Sequence, residues 1–489
     1  MVGDAETGGA DGSETGFKFD VGAPGGSTDF PVSCAEVEEQ LTNLGCVFWA
    51  VDLPNENRGT KMSPPAAEQQ FAVVVANASA LSPAMVSIFV GAEDTPVTTG
   101  VVDTGGIYEF ALDPLNINPT EGSADGVAYR IESDVPITAY QFNPLDNQVE
   151  VYSNDASLLL PEHVLGDNYT AVTGSAILLA TGPSDPEPVN AGAFVSVVAT
   201  EDDTTIEIAA TSGLVGGPSQ ATLDRGEVLT VISDLAGTNN GNLSGSRVTA
   251  DRPVAVFGGN VATVVPPGST ECCADHIEHQ LPPQEAWGTA YAVAPPPSPV
   301  EDKGDPAVYR ITGAFADTEL RFCPTAPTGA PSIIQPGETV AFETDLAFTV
   351  TSDPDKPFAV TQFLESNGAL SAEQPGDPAM IVIPSLGQLQ HRYLFAVPAG
   401  YAHNYVTIVT RGAPDVTLDG EPVDADLFQP VGVARGQEHA YATVAVDTGA
   451  HIVESEVPVA TTVLGFDAAV SYGYPGGSGL RVIATTPAG

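Results

Sequence analysis

From residue 46 onward, apolar and polar positions alternate with a period of two, in short runs bounded by Gly, Pro, Asn and Asp. This is the pattern of half-buried strands joined by turns. Paired runs around a turn recur as FAVVVANASALSPAMVSIFV (71–90), FVSVVATEDDTTIEIAA (194–210), VYRITGAFADTELRF (308–322) and YVTIVTRGAPDVTLDG (405–420). Each predicts a β-hairpin. The best helical segment is AEVEEQLTNL (35–44), two or three turns between Cys34 and Cys46.

Three further motifs recur around these pairs. An acidic residue, a variable residue and Pro precede alternating apolar positions in SDVPITAYQF, ADRPVAVFGGN, PDKPFAVTQF and SEVPVATTVLGF. Their prolines, Pro136, Pro253, Pro357 and Pro458, are spaced by 117, 104 and 101 residues. Proline at the first position of a strand removes no ladder hydrogen bond, which accounts for it there. An aromatic strand runs into Pro/Gly-rich sequence in VFWAVDLPN, NYTAVTG, AYAVAPP and RYLFAVPAG. A Gly-Glu turn opens a strand in RGEVLTVIS and PGETVAFET, and more weakly in RGQEHAYATV. The motifs keep one order, so the chain reads as four diverged copies of one unit.

The expected fold is therefore all-β: four tandem β-sandwich-like repeats of about 100 residues, with a propeller-like closed ring as the alternative. The division is 1–33, a disordered acidic Gly-rich tether; 34–45, a short helical segment; repeats at 46–166, 167–287, 288–390 and 391–483; and a tail, 484–489.

Composition narrows the function. The 489 residues carry 63 acidic and 15 basic side chains, a net charge of -48. Such a surface repels nucleic acid and anionic lipid. No apolar run reaches the ~20 residues of a membrane helix. The opening MVGDAETGGADGSETG lacks the basic and apolar segments of an export leader. The 1–33 stretch instead resembles the tether that follows a bacterial lipoprotein anchor, with the leader missing from this sequence. The expected location is extracellular or at the cell surface, as an outer-membrane lipoprotein in the bacterial case. Cys34 and Cys46 would close a short loop, worth ~3 kcal/mol when oxidised.

The densest polar chemistry is ECCADHIEHQLPP, expected to form a long loop in the second unit. His276 and His279, at i and i+3, could share a metal on one turn, with Asp275 or a thiolate as a further zinc ligand. The competing reading is structural, with one of Cys272 and Cys273 in a disulfide either to Cys323 or to its neighbour, and the histidines in hydrogen bonds; the pairing among Cys34, Cys46, Cys273 and Cys323 stays open. Glu271, Asp275, His276, Glu278 and His279 form the candidate binding loop, and LESNGALSAEQPGDP (364–378) is a second candidate surface. The acidic turns TEDDTT and SDPDKP could take calcium, which prefers oxygen ligands, but lack a dedicated loop spacing. Hydrolase and nucleotide motifs are absent. No cofactor is implied, with calcium and zinc the metals to test.

The segments DRPVAVFGGN, CCADHIEHQLPPQEAWGTAYAVAP, GDPAMIVIPSLGQLQHRYLFAVP and FDAAVSYGYPGG together resemble the IgGFc-binding protein N-terminal domain family, most strongly over 190–477. His279 departs from the family pattern, where Glu precedes Gln. In animals the module begins large mucus-associated proteins named for binding the Fc part of IgG. Bacterial chains of this type, those of myxobacteria among them, are secreted or surface proteins. The resemblance implies a non-enzymatic module for adhesion or for binding an extracellular protein or glycan. Two other classes remain open, a structural surface-layer component and a metal-dependent carbohydrate-active enzyme.

Overall fold

The computed structural model describes residues 30–483, apart from 60–64, 116, 119, 146–152, 181–187, 270–272, 301–303, 371–374 and 413–414. Residues 1–29 of the expected tether 1–33, and the tail 484–489, lie outside it. The chain is all-β. The helix expected over 35–44 shrinks to one turn, Cys34–Val37, capped by the Ser33 side chain. Beyond it the backbone is spent elsewhere: the carbonyl of Leu41 accepts from the N–H of Leu480, and Asn43 donates to Ser478.

One pairing scheme recurs four times. Its spine is a long strand, Tyr129–Asn143, Arg247–Thr263 or Gly449–Asp467, that passes through two sheets. The first half of each spine lies between the aromatic strand (Gly45–Ala50, Gly166–Thr170, Gln390–Val397) and the second strand of the expected hairpin (Ala84–Val90, Thr204–Ala209, Val416–Leu418). The second half lies between the first hairpin strand (Phe71–Asn77, Ala193–Ala199, His403–Arg411) and a returning strand (Asp155–Leu158, Asp275–Gln280, Val470–Pro475). The Gly-Glu strand adds outside the first hairpin strand.

The expected hairpins are therefore not hairpins. In each unit the spine separates the two strands, so the turn between them crosses from one sheet to the other. Alternation reports which residues face inward but not which strand is the neighbour.

The acid-x-Pro motif marks the point where the spine changes sheets. The ladder jumps from Glu132 to Ile137 around Pro136, from Thr249 to Val254 around Pro253, and from Glu454 to Val459 around Pro458. In three units, then, proline sits within the strand rather than at its start. It is tolerated because neither ladder needs a donor at the switch. In the third unit the spine breaks there into Phe348–Thr351 and Phe358–Leu364, with the same four neighbours.

A tyrosine braces three of the switches. Tyr169 donates its hydroxyl to the carbonyl of Val254 (2.7 Å), Tyr291 to Phe358 (2.5 Å) and Tyr393 to Val459 (2.6 Å). Each acceptor is the residue after the proline. The same hydroxyls accept the N–H groups of Gly166, Gly288 and Gln390. This explains the aromatic motif, in which unit one carries Phe48.

The units close a ring. Apolar cores are shared between units one and two (Trp49, Val73, Phe194, Phe257), two and three (Val231, Ile277, Val308, Met380), three and four (Ala292, Leu389, Val409, Ala460), and one and four (Tyr140, Phe142, Tyr472, Tyr474). The returning strands meet at the axis, each touching the next around the circle. Gly259 lets its neighbour approach: a Cβ there would lie 2.0 Å from the carbonyl of Ile277. The chain ends clasp through a bridge from Thr42 to Gly479, and the Cys34–Cys46 disulfide pins the segment that makes it.

Candidate functional site

The cluster expected as a loop is the returning strand of unit two. Asp275–Gln280 is buried at every position. Its outer edge pairs with the spine. Its inner edge would leave backbone N–H groups unpaired, and side chains from unit one accept them instead. His276 N–H donates to Ser153 Oγ (3.2 Å), Glu278 N–H to Asp155 Oδ2 (3.0 Å) and Gln280 N–H to Ser157 Oγ (2.7 Å). A buried backbone donor must be matched, so these contacts carry the docking of unit two on unit one.

Asp155 is the hub. Besides Glu278 it accepts the N–H of Met380 from unit three (3.0 Å) and of Ala156 (2.8 Å). One carboxylate thus ties three units together. Burial raises its pKa well above the ordinary value, against the pull of these donors.

His276 and Glu278 share one face of the strand. His276 Nε2 lies 3.3 Å from Glu278 Oε2, Gln141 Nε2 donates to Glu278 Oε1 (3.0 Å), and the imidazole stacks on Phe194. Burial pushes His276 down to about 3 and Glu278 up. Both shifts favour the neutral forms, so burial works against an ion pair between them.

His279 faces the other way, into an apolar pocket of about 50 Å³ lined by Leu158, Trp287, Tyr291, Val382 and Leu480. Burial pushes it down to about 3 as well. The i, i+3 argument for a shared metal assumed a helical turn. In a strand that spacing puts the two imidazoles on opposite faces, and Asp275 is ~13 Å along the strand from His279. The trio Asp275, His276 and His279 does not converge. Among the described residues no three His, Cys, Asp or Glu side chains are grouped to hold a metal.

Glu271 lies outside the described residues. The bridge from Cys273 to Cys323 does not form: Cys273 is disulfide-bonded, and Cys323 is a free thiol whose sulfur accepts the N–H of Val433. Cys323 stands at the seam of units three and four, whereas Cys273 leads into the axis strand. In the second candidate surface, Leu364, Glu365 and Ser366 are buried, and 371–374 lie outside the described residues. The acidic turns use their carboxylates locally. Asp202 accepts the N–H of Arg225, and Asp353 pairs with Arg321.

Sequence reasoning missed Asp155 and Asp377. A signal was present: Asp155, Asp275 and Asp377 each stand six or seven residues before a proline, Pro161, Pro282 and Pro384. That is a fifth repeated motif, and it opens the axis strands.

A different site lies on the surface between units three and four. A groove of about 320 Å³ is lined by Arg411, Arg435, Gln437 and His439, together with Leu386 and Leu389. Arg435 holds a left-handed backbone (φ 51°) at the tip of a turn, a conformation that costs ~1–2 kcal/mol for such a residue. Its guanidinium donates to the carbonyls of Thr289 (3.0 Å) and Ser352 (2.7 Å), fastening unit four to unit three. Arg411 reaches only Gln437 Oε1 (3.1 Å). Arg130, Arg225, Arg321 and Arg392 pair with carboxylates. Arg411 and Arg435 do not, among the described residues. Burial lowers the pKa of His439, and the charge of Arg411 lowers it further.

Among the described residues, then, the chain is a ring of two-layered β units with an arginine-lined groove between units three and four and a dense polar cluster buried at the axis. A family model described as IgGFc binding protein matches residues 155–465, more than half of the chain. The chain belongs to the IgGFc-binding protein family. It is 30% identical over 234 residues to the human IgGFc-binding protein. That match covers 48% of this chain and 4% of the human protein, so the chain spans a small part of that relative's length. No helix among the described residues is long and apolar enough to cross a membrane.

Proposed function

We propose that this chain is an extracellular adhesion module that binds a glycan or glycoprotein through the groove between units three and four. The observation that carries the reading is Arg411 and Arg435, neither with a carboxylate partner among the described residues, beside His439 in one groove of a chain with net charge -48. Asp275, His276, Glu278 and His279 of the expected binding loop are buried, which favours a recognition surface elsewhere.

The chemistry selects the ligand. Two guanidinium groups beside Leu386 and Leu389 suit a carboxylate on a sugar ring, with the ring's apolar face against the leucines. A polyanion would meet the repulsion of the whole molecule. One isolated carboxylate feels mainly the groove, because other charges are screened beyond ~8–10 Å. An anion in the groove would favour charged His439, so binding tightens as pH falls toward that imidazole's lowered pKa.

The test is an array of neutral and acidic glycans and glycoproteins, probed with wild type and Arg411→Glu. Acidic sugars bound by wild type and lost by at least ~tenfold in the variant support the reading. Equal binding by both proteins overturns the groove, and selective capture of unglycosylated protein overturns the ligand class.

A further inference from the structure

The axis holds four buried oxygen atoms that the fold leaves unused. Both carboxylate oxygens of Asp275, Oδ2 of Asp377 and Oδ1 of Asn154 have no hydrogen-bond partner. All three residues are at most 2% exposed. They come from the segments that open the axis strands of units two, three and one. The groups are neighbours: the charges that act on Asp275 are those of Asp377 and Asp155. Asn154 donates its amide nitrogen to the hydroxyl of Tyr401 from unit four. That phenol lies within the field of Asp275 and Asp155.

The other buried acids nearby are accounted for. Asp155 accepts three backbone N–H groups, and Glu278 is held by Gln141 and His276. No cationic side chain is among the groups acting on Asp275, which besides the two aspartates are the backbones of His276 and Asn154. Asp377 Oδ1 accepts the N–H of Asn367 (3.4 Å), but two neighbouring buried carboxylates held so weakly are costly unless something positive lies between them. That can be a proton or a metal ion, and the amide oxygen of Asn154 decides between them. A shared proton satisfies the two carboxylates but leaves this third oxygen orphaned, whereas a cation takes all three groups as ligands.

We infer that Asp275, Asp377 and Asn154 bind one calcium ion at the ring axis. The donors are all oxygen, which selects a hard cation over zinc or copper. Two carboxylates and an amide oxygen fall short of the six to eight ligands calcium takes, so carbonyls and water complete the shell. This low charge count places the affinity in the weak range of extracellular modules, ~10⁻⁴–10⁻³ M. The ion ties units one, two and three directly, and reaches unit four through the Asn154–Tyr401 contact. The site is distinct from the acidic turns, whose carboxylates cap backbone groups or pair with arginine.

The experiment uses the full chain, stripped with chelator and titrated with calcium by calorimetry, with thermal unfolding followed in parallel. One ion should bind per chain, and millimolar calcium should raise the midpoint by ~2 °C or more over chelator, since a ligand selective for the native state must stabilise it. Asp275→Asn with Asp377→Asn keeps the shape, removes the mutual repulsion and should abolish the response. Asp377→Asn alone provides a second variant should the double one fold poorly. Asp202→Asn, in a surface acidic turn, should retain the full response. Identical unfolding in calcium and chelator, with no binding heat, overturns the site and leaves a shared proton as the state of the pair. A response lost equally in Asp202→Asn overturns its location.

Discussion

The ring axis and the groove between units three and four are both rich in polar chemistry, yet they use it in opposite ways. At the axis, Asp155, Glu278 and His276 are fully buried and consumed by contacts within the chain. In the groove, Arg411 is exposed and reaches only a glutamine. Burial makes a polar group structural, because leaving it unmatched costs more than a surface contact returns. Exposure leaves a group free for a partner. A dense polar motif is therefore a poor guide to a binding surface until its burial is known.

The comparison predicts that axis variants lose stability and groove variants lose binding. The largest effect is expected for Asp155→Ala, which orphans the N–H groups of Glu278, Met380 and Ala156. A loss of ~3–5 kcal/mol in denaturant unfolding is expected, and a loss under ~1 kcal/mol would show that the hub carries little. Arg411→Glu should change unfolding by less than ~0.5 kcal/mol while abolishing acidic-glycan binding. If it unfolds the ring instead, the contrast between the two regions fails.

Removing a brace should fall between these. Tyr169→Phe, Tyr291→Phe and Tyr393→Phe each leave a buried carbonyl and N–H short of a partner, for ~1–2 kcal/mol apiece by chemical denaturation. The test of the brace is similar losses at all three positions.

A pH-dependent prediction concerns two buried histidines of opposite sign. His279 is pushed down to about 3 by burial. The unfolded chain takes up its proton near pH 6.5 and the folded one does not, so stability falls as pH drops from ~6.5 toward 3, by up to ~1.4 kcal/mol per unit. Burial opposes charge on His451 too, but Asp419 outweighs it and the pKa rises. Its Nδ1 donates to Asp419 Oδ2 (2.8 Å) and its Nε2 to the carbonyl of Asp447 (2.7 Å). Its contribution is complete below ~6.5 and is lost as pH rises through the raised value. His279→Gln should flatten the acid limb of a stability-pH curve, and His451→Gln the limb above neutrality. The reverse assignment would refute both environments.

Much of the scaffold was legible. Recurring motifs in constant order revealed the four-fold repetition, and the short spacing of Cys34 and Cys46 announced a disulfide that the structure contains. The strand-rich character followed from alternation. The hairpins were misread because the turn between Asn77 and Ala84 looks the same whether the flanking strands pair or cross between sheets. DHIEHQ was read as part of a long loop because polar runs usually are. Here the strand lies between a spine on one edge and Ser153, Asp155 and Ser157 on the other, acceptors more than a hundred residues away.

By itself the sequence determined the all-β character, the fourfold repeat and the places where proline can interrupt a ladder, because these depend on local periodicity and on a missing N–H. It also determined the acidic charge, and with it the expectation that nucleic acid is repelled. Only the tertiary structure decided that the returning strands meet at one axis, that Asp155 joins three units, and that Arg411 and Arg435 share a groove. Those facts depend on which distant residues become neighbours once the ring closes, and neither burial nor pairing is encoded in the local pattern.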